Sequence, residues 1–251
     1  EGKLVERDAD GNEVRPLDSS ITKVTLSLFI NSLLLIVIVL GVARWYKKHP
    51  KEGAAPGGFV GFMEMFIMMV NDDVIKGCVG PNYKKFAPYL LTAFFFIFIN
   101  NLMGLIPVFP GGASVTGNIA VTFVLALCTF LAVNLFGTKH YWKDIFWPEV
   151  PWWLKVPVPM MPFIELFGIF TKPFALMIRL FANMLAGHMA MLILTCLVFI
   201  SASMGPALNG SLTVASVLFN IFMNALELLV AFIQAYVFTM LSAVFIGLAQ
   251  E

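Results

Sequence analysis

The chain has 251 residues, of which 59% are hydrophobic and only 12% charged, with a net charge of +1. Soluble domains carry about 25% charged residues, so this composition is that of an all-α integral membrane protein, long enough for about five or six spans. The near-neutral charge offers nothing to nucleic acid, and no GxxxxGK[ST], HExxH or GxSxG pattern points to nucleotide binding or hydrolysis.

Residues 1–23 hold six acidic and four basic side chains and read as an exposed polar tail. Residues 24–251 read as one membrane domain. Its first span covers 24–43, and the basic run "RWYKKHPK" after it marks the inner side, which places the N-terminus outside. Residues 57–76 mix apolar side chains with Glu64, Asp72 and Asp73, which fits an amphipathic helix at the inner surface better than a span. A second span covers 86–109, ending in the turn-forming Pro107, Pro110, Gly111 and Gly112. A third covers 118–137. Residues 141–160, rich in Trp and Pro, suit an interfacial segment.

Two long apolar segments follow, 161–203 and 212–249. As continuous helices they would measure about 64 and 57 Å, against a hydrocarbon core of about 30 Å. They either break into re-entrant halves or tilt strongly. Five crossings bring the C-terminus to the inner side. Eleven of the 16 basic residues fall on inner segments, four in the tail, and one, Arg179, inside the membrane.

Arg179 sits within "FALMIRLFANMLAGHMAML". A mid-bilayer arginine costs at least about 2.5–3.5 kcal/mol, so such residues mark function. At about 100° per residue, Lys172, Asn183 and Glu165 lie within about 40° of Arg179, whereas His188 lies about 180° around. This predicts two polar faces, one with the arginine and one with the histidine. In the last segment Asn220, Glu227 and Gln234 recur every seven residues, with Asn224 about 60° from Glu227. Asn100 and Asn101 read as helix-end or packing residues. Arginine stays charged in proteins, so it is a fixed barrier, while His188 and Glu227 exchange protons with water. A barrier between titratable groups implies two aqueous routes for a proton. No cofactor or metal is expected.

The stretches "FFFIFINNLMGLIP", "KPFALMIRLFANMLAGH" and "LELLVAFIQAYVFTMLSAVFIGLA" resemble subunit a of the F-type ATP synthase (the ATPase subunit 6 family), in that family's order and spacing over about residues 24–249. The resemblance implies a stator subunit, not catalytic by itself, whose Arg179 faces a rotating c-ring and separates two offset proton half-channels. It places Asn183 and Gln234 near that arginine, His188 and Glu227 as an exchanged acid–imidazole pair in the outer route, and Glu165 and Lys172 on the inner side. It implies steeply tilted last helices rather than broken ones. The implied partners are the c-ring, peripheral-stalk b subunits, other synthase subunits, protons and the lipid bilayer. The implied setting is an energy-transducing membrane, bacterial or mitochondrial. A stand-alone proton or cation channel, or a secondary transporter, is the alternative.

Overall fold

The computed structural model describes residues 6–7, 13–14, 22–48, 57–106, 115–146, 160–201 and 206–250. The Pro/Gly turn expected at 107–112 and most of the interfacial segment 141–160 lie outside these residues. In the tail, β1 (Glu6–Arg7) and β2 (Glu13–Val14) pair antiparallel. All other described regular structure is helical: α1 (Lys23–Lys48), α2 (Gly58–Met69), α3 (Lys76–Val79), α4 (Tyr83–Leu105), α5 (Ile119–Phe136), α6 (Lys139–Phe146), α7 (Met160–Ser201) and α8 (Pro206–Gln250). Five helical stretches are long and apolar enough to cross a membrane.

α2 runs through a π-helical turn, Val70–Ile75, into α3. Gly80, at φ +74°, then breaks the path, a conformation glycine adopts without a Cβ penalty. The chain folds back into α4, so that Phe66 stacks on Phe98 with centroids 5.8 Å apart. The stretch expected as a surface helix thus lays one face, including Val70, Val74 and Ile75, into the core, while its Asp72 and Lys76 form an exposed ion pair. Helices α4 and α8 run antiparallel beneath it. Asn82 donates to Gln250 (3.3 Å) at one end, and Asn101 donates to the Ala231 carbonyl (3.4 Å) at the other.

The core lies where these helices meet the second half of α8. Leu90, Phe94 and Ile97 of α4 pack against Ala235, Phe238, Ala243 and Ile246. The small α8 side chains permit close approach: a Cβ added at Gly247 would collide with the Cys78 carbonyl oxygen. Buried polar groups pair between helices, as interhelical contact in lipid favours. Tyr89 Oη lies 3.0 Å from Thr129 Oγ1, which lies 3.3 Å from Ser242 Oγ, joining α4, α5 and α8. Asn31 of α1 donates to Asn100 of α4 (3.0 Å), and Asn101 accepts from Thr116 (2.6 Å). Asn100 and Asn101 therefore hold helices together.

Helices α7 and α8 are continuous over 42 and 45 residues. Neither breaks into re-entrant halves, even though Pro173 lies inside α7. At 1.5 Å per residue they extend about 63 and 67 Å, roughly twice the hydrocarbon thickness.

Candidate functional site

The polar residues of the two long helices meet along one antiparallel seam. Asn183 Nδ2 donates to Gln234 Oε1 at 3.3 Å. Five residues further along α7 and seven back along α8, His188 Nδ1 stands 3.7 Å from Glu227 Oε1. Towards the start of α7, Lys172 Nζ sits 5.6 Å from the Phe245 ring centroid.

The packed face of α7 explains these pairings. Its buried residues Ile169, Leu176, Met177, Leu180 and Met184 lie at about 60–160° from Arg179 on the helical wheel. Asn183, at about 40°, and His188, at about 180°, flank that face. The sequence reading set Arg179 with Asn183 on one face and His188 on the opposite one. In the fold both Asn183 and His188 reach α8, because the seam lies between them and their side chains span the gap from either edge. Arg179 stands outside the seam. It is exposed, and among the described residues its guanidinium has no hydrogen-bond or ion-pair partner. Glu165 lies within helical α7, but its side chain is outside the described residues.

On α8, Glu227 (6% exposed) and Gln234 (5% exposed) are buried. Both Glu227 carboxyl oxygens, His188 Nε2 and Gln234 Nε2 are buried without a hydrogen-bond partner among the described residues. At 3.7 Å the His188–Glu227 approach exceeds hydrogen-bond length. An unsatisfied buried polar group costs about 1–3 kcal/mol. Four such groups converge on the middle of one seam, so the seam is poorly suited to being a mere packing contact and well suited to water and protons. Asn220 and Asn224 do not join it: Asn224 donates back to the Asn220 carbonyl (2.8 Å) along its own helix.

Two contributors escape a reading by polarity and spacing. Gly187 lies on the packed face, and a Cβ there would stand 2.8 Å from Glu227 Oε1. A larger residue there would make the end of the Glu227 side chain shift from its place beside His188. Ser216 is buried with its Oγ unpaired, about 20° from Glu227 on the α8 wheel and three turns before it. A serine among small residues gave no signal; its place at about eleven residues from Glu227 was the available one. Among the described residues, no group of three or more His, Cys, Asp or Glu is placed to hold a metal ion.

The profile of the family described as "ATP synthase A chain" matches residues 27–247. ATP synthase subunit a of Chloroherpeton thalassium is 41% identical over 244 residues, covering 94% of this chain and 68% of the relative. Its counterpart in Chlorobium phaeobacteroides (strain DSM 266) is 43% identical over 240 residues, covering 92% and 66%. That of Myxococcus xanthus is 38% identical over 239 residues, covering 93% and 74%. The chain spans about two thirds of the length of the first two relatives.

Proposed function

Because the chain belongs to the ATP synthase A chain family, we propose that it is the proton-conducting stator subunit in the membrane sector of a rotary ATP synthase. The observation that carries this reading is the division of charge across the α7–α8 seam. Arg179, without a partner among the described residues, stands on the outer flank, and the His188–Glu227 pair, unsatisfied among the same residues, lies within.

In this reading the partner of Arg179 is a carboxyl group on a rotating ring of c subunits. A proton enters from the outer side along His188 and Glu227 and neutralises a ring carboxylate. The neutral site moves into lipid, which an ionised one cannot enter without a large desolvation cost. After nearly a full turn it releases the proton into an inner route beside Glu165 and Lys172. Arg179 then draws the carboxyl into its ionised form by stabilising the anion, and its positive field stops protons passing directly between the routes. Guanidinium keeps its own proton throughout, so it acts as a gate and not a relay. Asn183 and Gln234, bonded to each other beside it, hold the two helices in register at the gate. Each proton releases about 2.3 kcal/mol per 100 mV of membrane potential. The subunit performs no bond chemistry; rotation passes this energy to a catalytic head that other synthase subunits form, with b subunits anchoring the stator.

The lengths of α7 and α8 support a strongly tilted pair lying along the ring, since an upright helix of either length would push tens of ångströms of apolar surface into water. The location proposed is the bacterial plasma membrane, in keeping with the bacterial relatives, with the N-terminus outside and the C-terminus cytoplasmic. A cysteine at position 179 should crosslink to a cysteine on the outer helix of the ring. Failure to crosslink at any ring position, with coupled pumping intact in the Arg179→Ala chain, would refute the assignment. A stand-alone channel or transporter predicts instead that the purified chain conducts protons without a ring.

A further inference from the structure

On the side of α7 turned about 180° from Arg179, an apolar groove opens between α5 and α7. Its walls are Phe123, Phe130, Phe167, Phe170, Phe174 and Met177, and its cavity volume is about 480 Å³. Phe130 and Phe170 stack across it with centroids 5.8 Å apart. Phe123, Phe167, Phe170 and Phe174 are all more than half exposed, so the groove is open along its length.

One end is chemically different. Phe130 and Pro173 also border a small, mostly apolar cleft whose lining includes Lys172, Asn134, Tyr141 and Thr129. Lys172 has no carboxylate partner among the described residues. Asn134 Oδ1 is buried and unpaired. Beside the cleft, α6 carries exposed Lys139, Lys143 and Trp142. Lysines next to an interfacial tryptophan and tyrosine are the pattern of a headgroup-level belt, and basic pockets between membrane helices on the cytoplasmic side bind acidic lipid headgroups.

We propose that this groove is a binding site for an anionic phospholipid of the inner leaflet, with an acyl chain between α5 and α7 and the phosphate at Lys172. The lining favours an acyl chain: the walls are mostly aromatic and apolar and lie open along their length. A slender, flexible chain follows the ring-lined channel of about 10–15 Å, the length of the α5 and α7 stretches that line it. The charge favours an acidic headgroup over a zwitterionic one, because the cation at the groove mouth has no carboxylate partner among the described residues. The acyl-chain groove lies on the back of the helix pair, but the site shares Lys172 with the inner route proposed above; lipid crosslinking is read separately from proton transport, so either reading can fail alone.

The test uses the assembled membrane complex in nanodiscs containing phosphatidylglycerol or phosphatidylethanolamine, each with the same photoreactive acyl chain. Mapped crosslinks are expected on the peptides carrying Phe123–Phe130 and Phe167–Phe174, at least fivefold stronger from phosphatidylglycerol. Thr171→Trp, at an exposed groove position, should remove them while the subunit stays in the complex; Leu127→Trp should do the same from the opposite wall. Lys172→Gln should bring the phosphatidylglycerol signal down to that of phosphatidylethanolamine. Equal labelling by the two lipids in the unaltered chain, or labelling unchanged by both tryptophans, would overturn the proposal. So would labelling of the isolated full chain that vanishes in the complex, which would assign the groove to a partner helix.

Discussion

The two halves of α8 are built for different purposes. From Ala231 onwards its inward residues are small or closely packed, namely Ala231, Ala235, Phe238, Ala243, Ile246 and Ala249, and its hydroxyls at Thr239 and Ser242 are hydrogen-bonded. Before that point Val217, Leu218, Ile221 and Phe222 are exposed, only Ser216 and Glu227 are buried among the described residues, and both carry unpaired polar atoms. One helix thus combines a closely packed anchor, in which Gln234 Nε2 alone among the described side chains is buried and unpaired, with a loosely covered, unsatisfied polar segment. The anchor fixes where α7 lies. Under the proposed function, the polar segment supplies His188's partner Glu227 to the proton route.

The largest expected effect comes from Arg179 on α7, one turn from the Asn183–Gln234 pair. Arg179→Ala should reduce coupled proton transport at least 100-fold in inverted vesicles, with normal subunit assembly; Arg179→Lys should largely fail too, since an ammonium, unlike guanidinium, can deprotonate once the proposed ring covers it. ATP-driven pumping at the unaltered rate in either chain would remove the distinction between gate and scaffold. Next comes the anchor. Gly247→Val places side-chain atoms against the Cys78 backbone, which cannot move aside as a flexible side chain does. Overpacking of this kind costs about 1–3 kcal/mol or more, so the amount of assembled protein in membranes should fall several-fold. An unchanged amount would show the α3–α8 contact to be loose.

The polar half is tested by smaller changes. Glu227→Gln should slow proton conduction about tenfold while leaving assembly intact. Gly187→Ala should act in the same direction, more weakly, by displacing the carboxyl from His188. Glu227→Asp in the Gly187→Ala background should recover part of the loss, because the shorter side chain withdraws from the new methyl. Full activity in Gly187→Ala would separate glycine from the proton route. The smallest effect belongs to Thr129→Val, which removes the hydroxyl between Tyr89 and Ser242. It should lower stability by about 1 kcal/mol, visible as a lower midpoint in thermal aggregation, without a change in transport rate.

Much of this was legible in the linear chain. Low charge and apolar runs specify a helical membrane protein. An arginine, a histidine and a lone acid inside those runs stand out because lipid penalises each of them. What periodicity could not give was the direction of the seam. On the wheel Asn183 groups with Arg179, yet the fold bonds it to Gln234, since the packed face lies between the polar edges and not on either of them.

Sequence by itself therefore determined the helices, the polar positions and the family, because hydropathy, helical period and motif order are properties of neighbouring residues. Tertiary structure alone decided that the segment after Gly57 folds back on α4, that Gly187 receives the Glu227 carboxyl and that Tyr89, Thr129 and Ser242 form one hydroxyl chain. Each of these joins residues tens of positions apart. Such contacts depend on how whole helices pack, which no local pattern encodes.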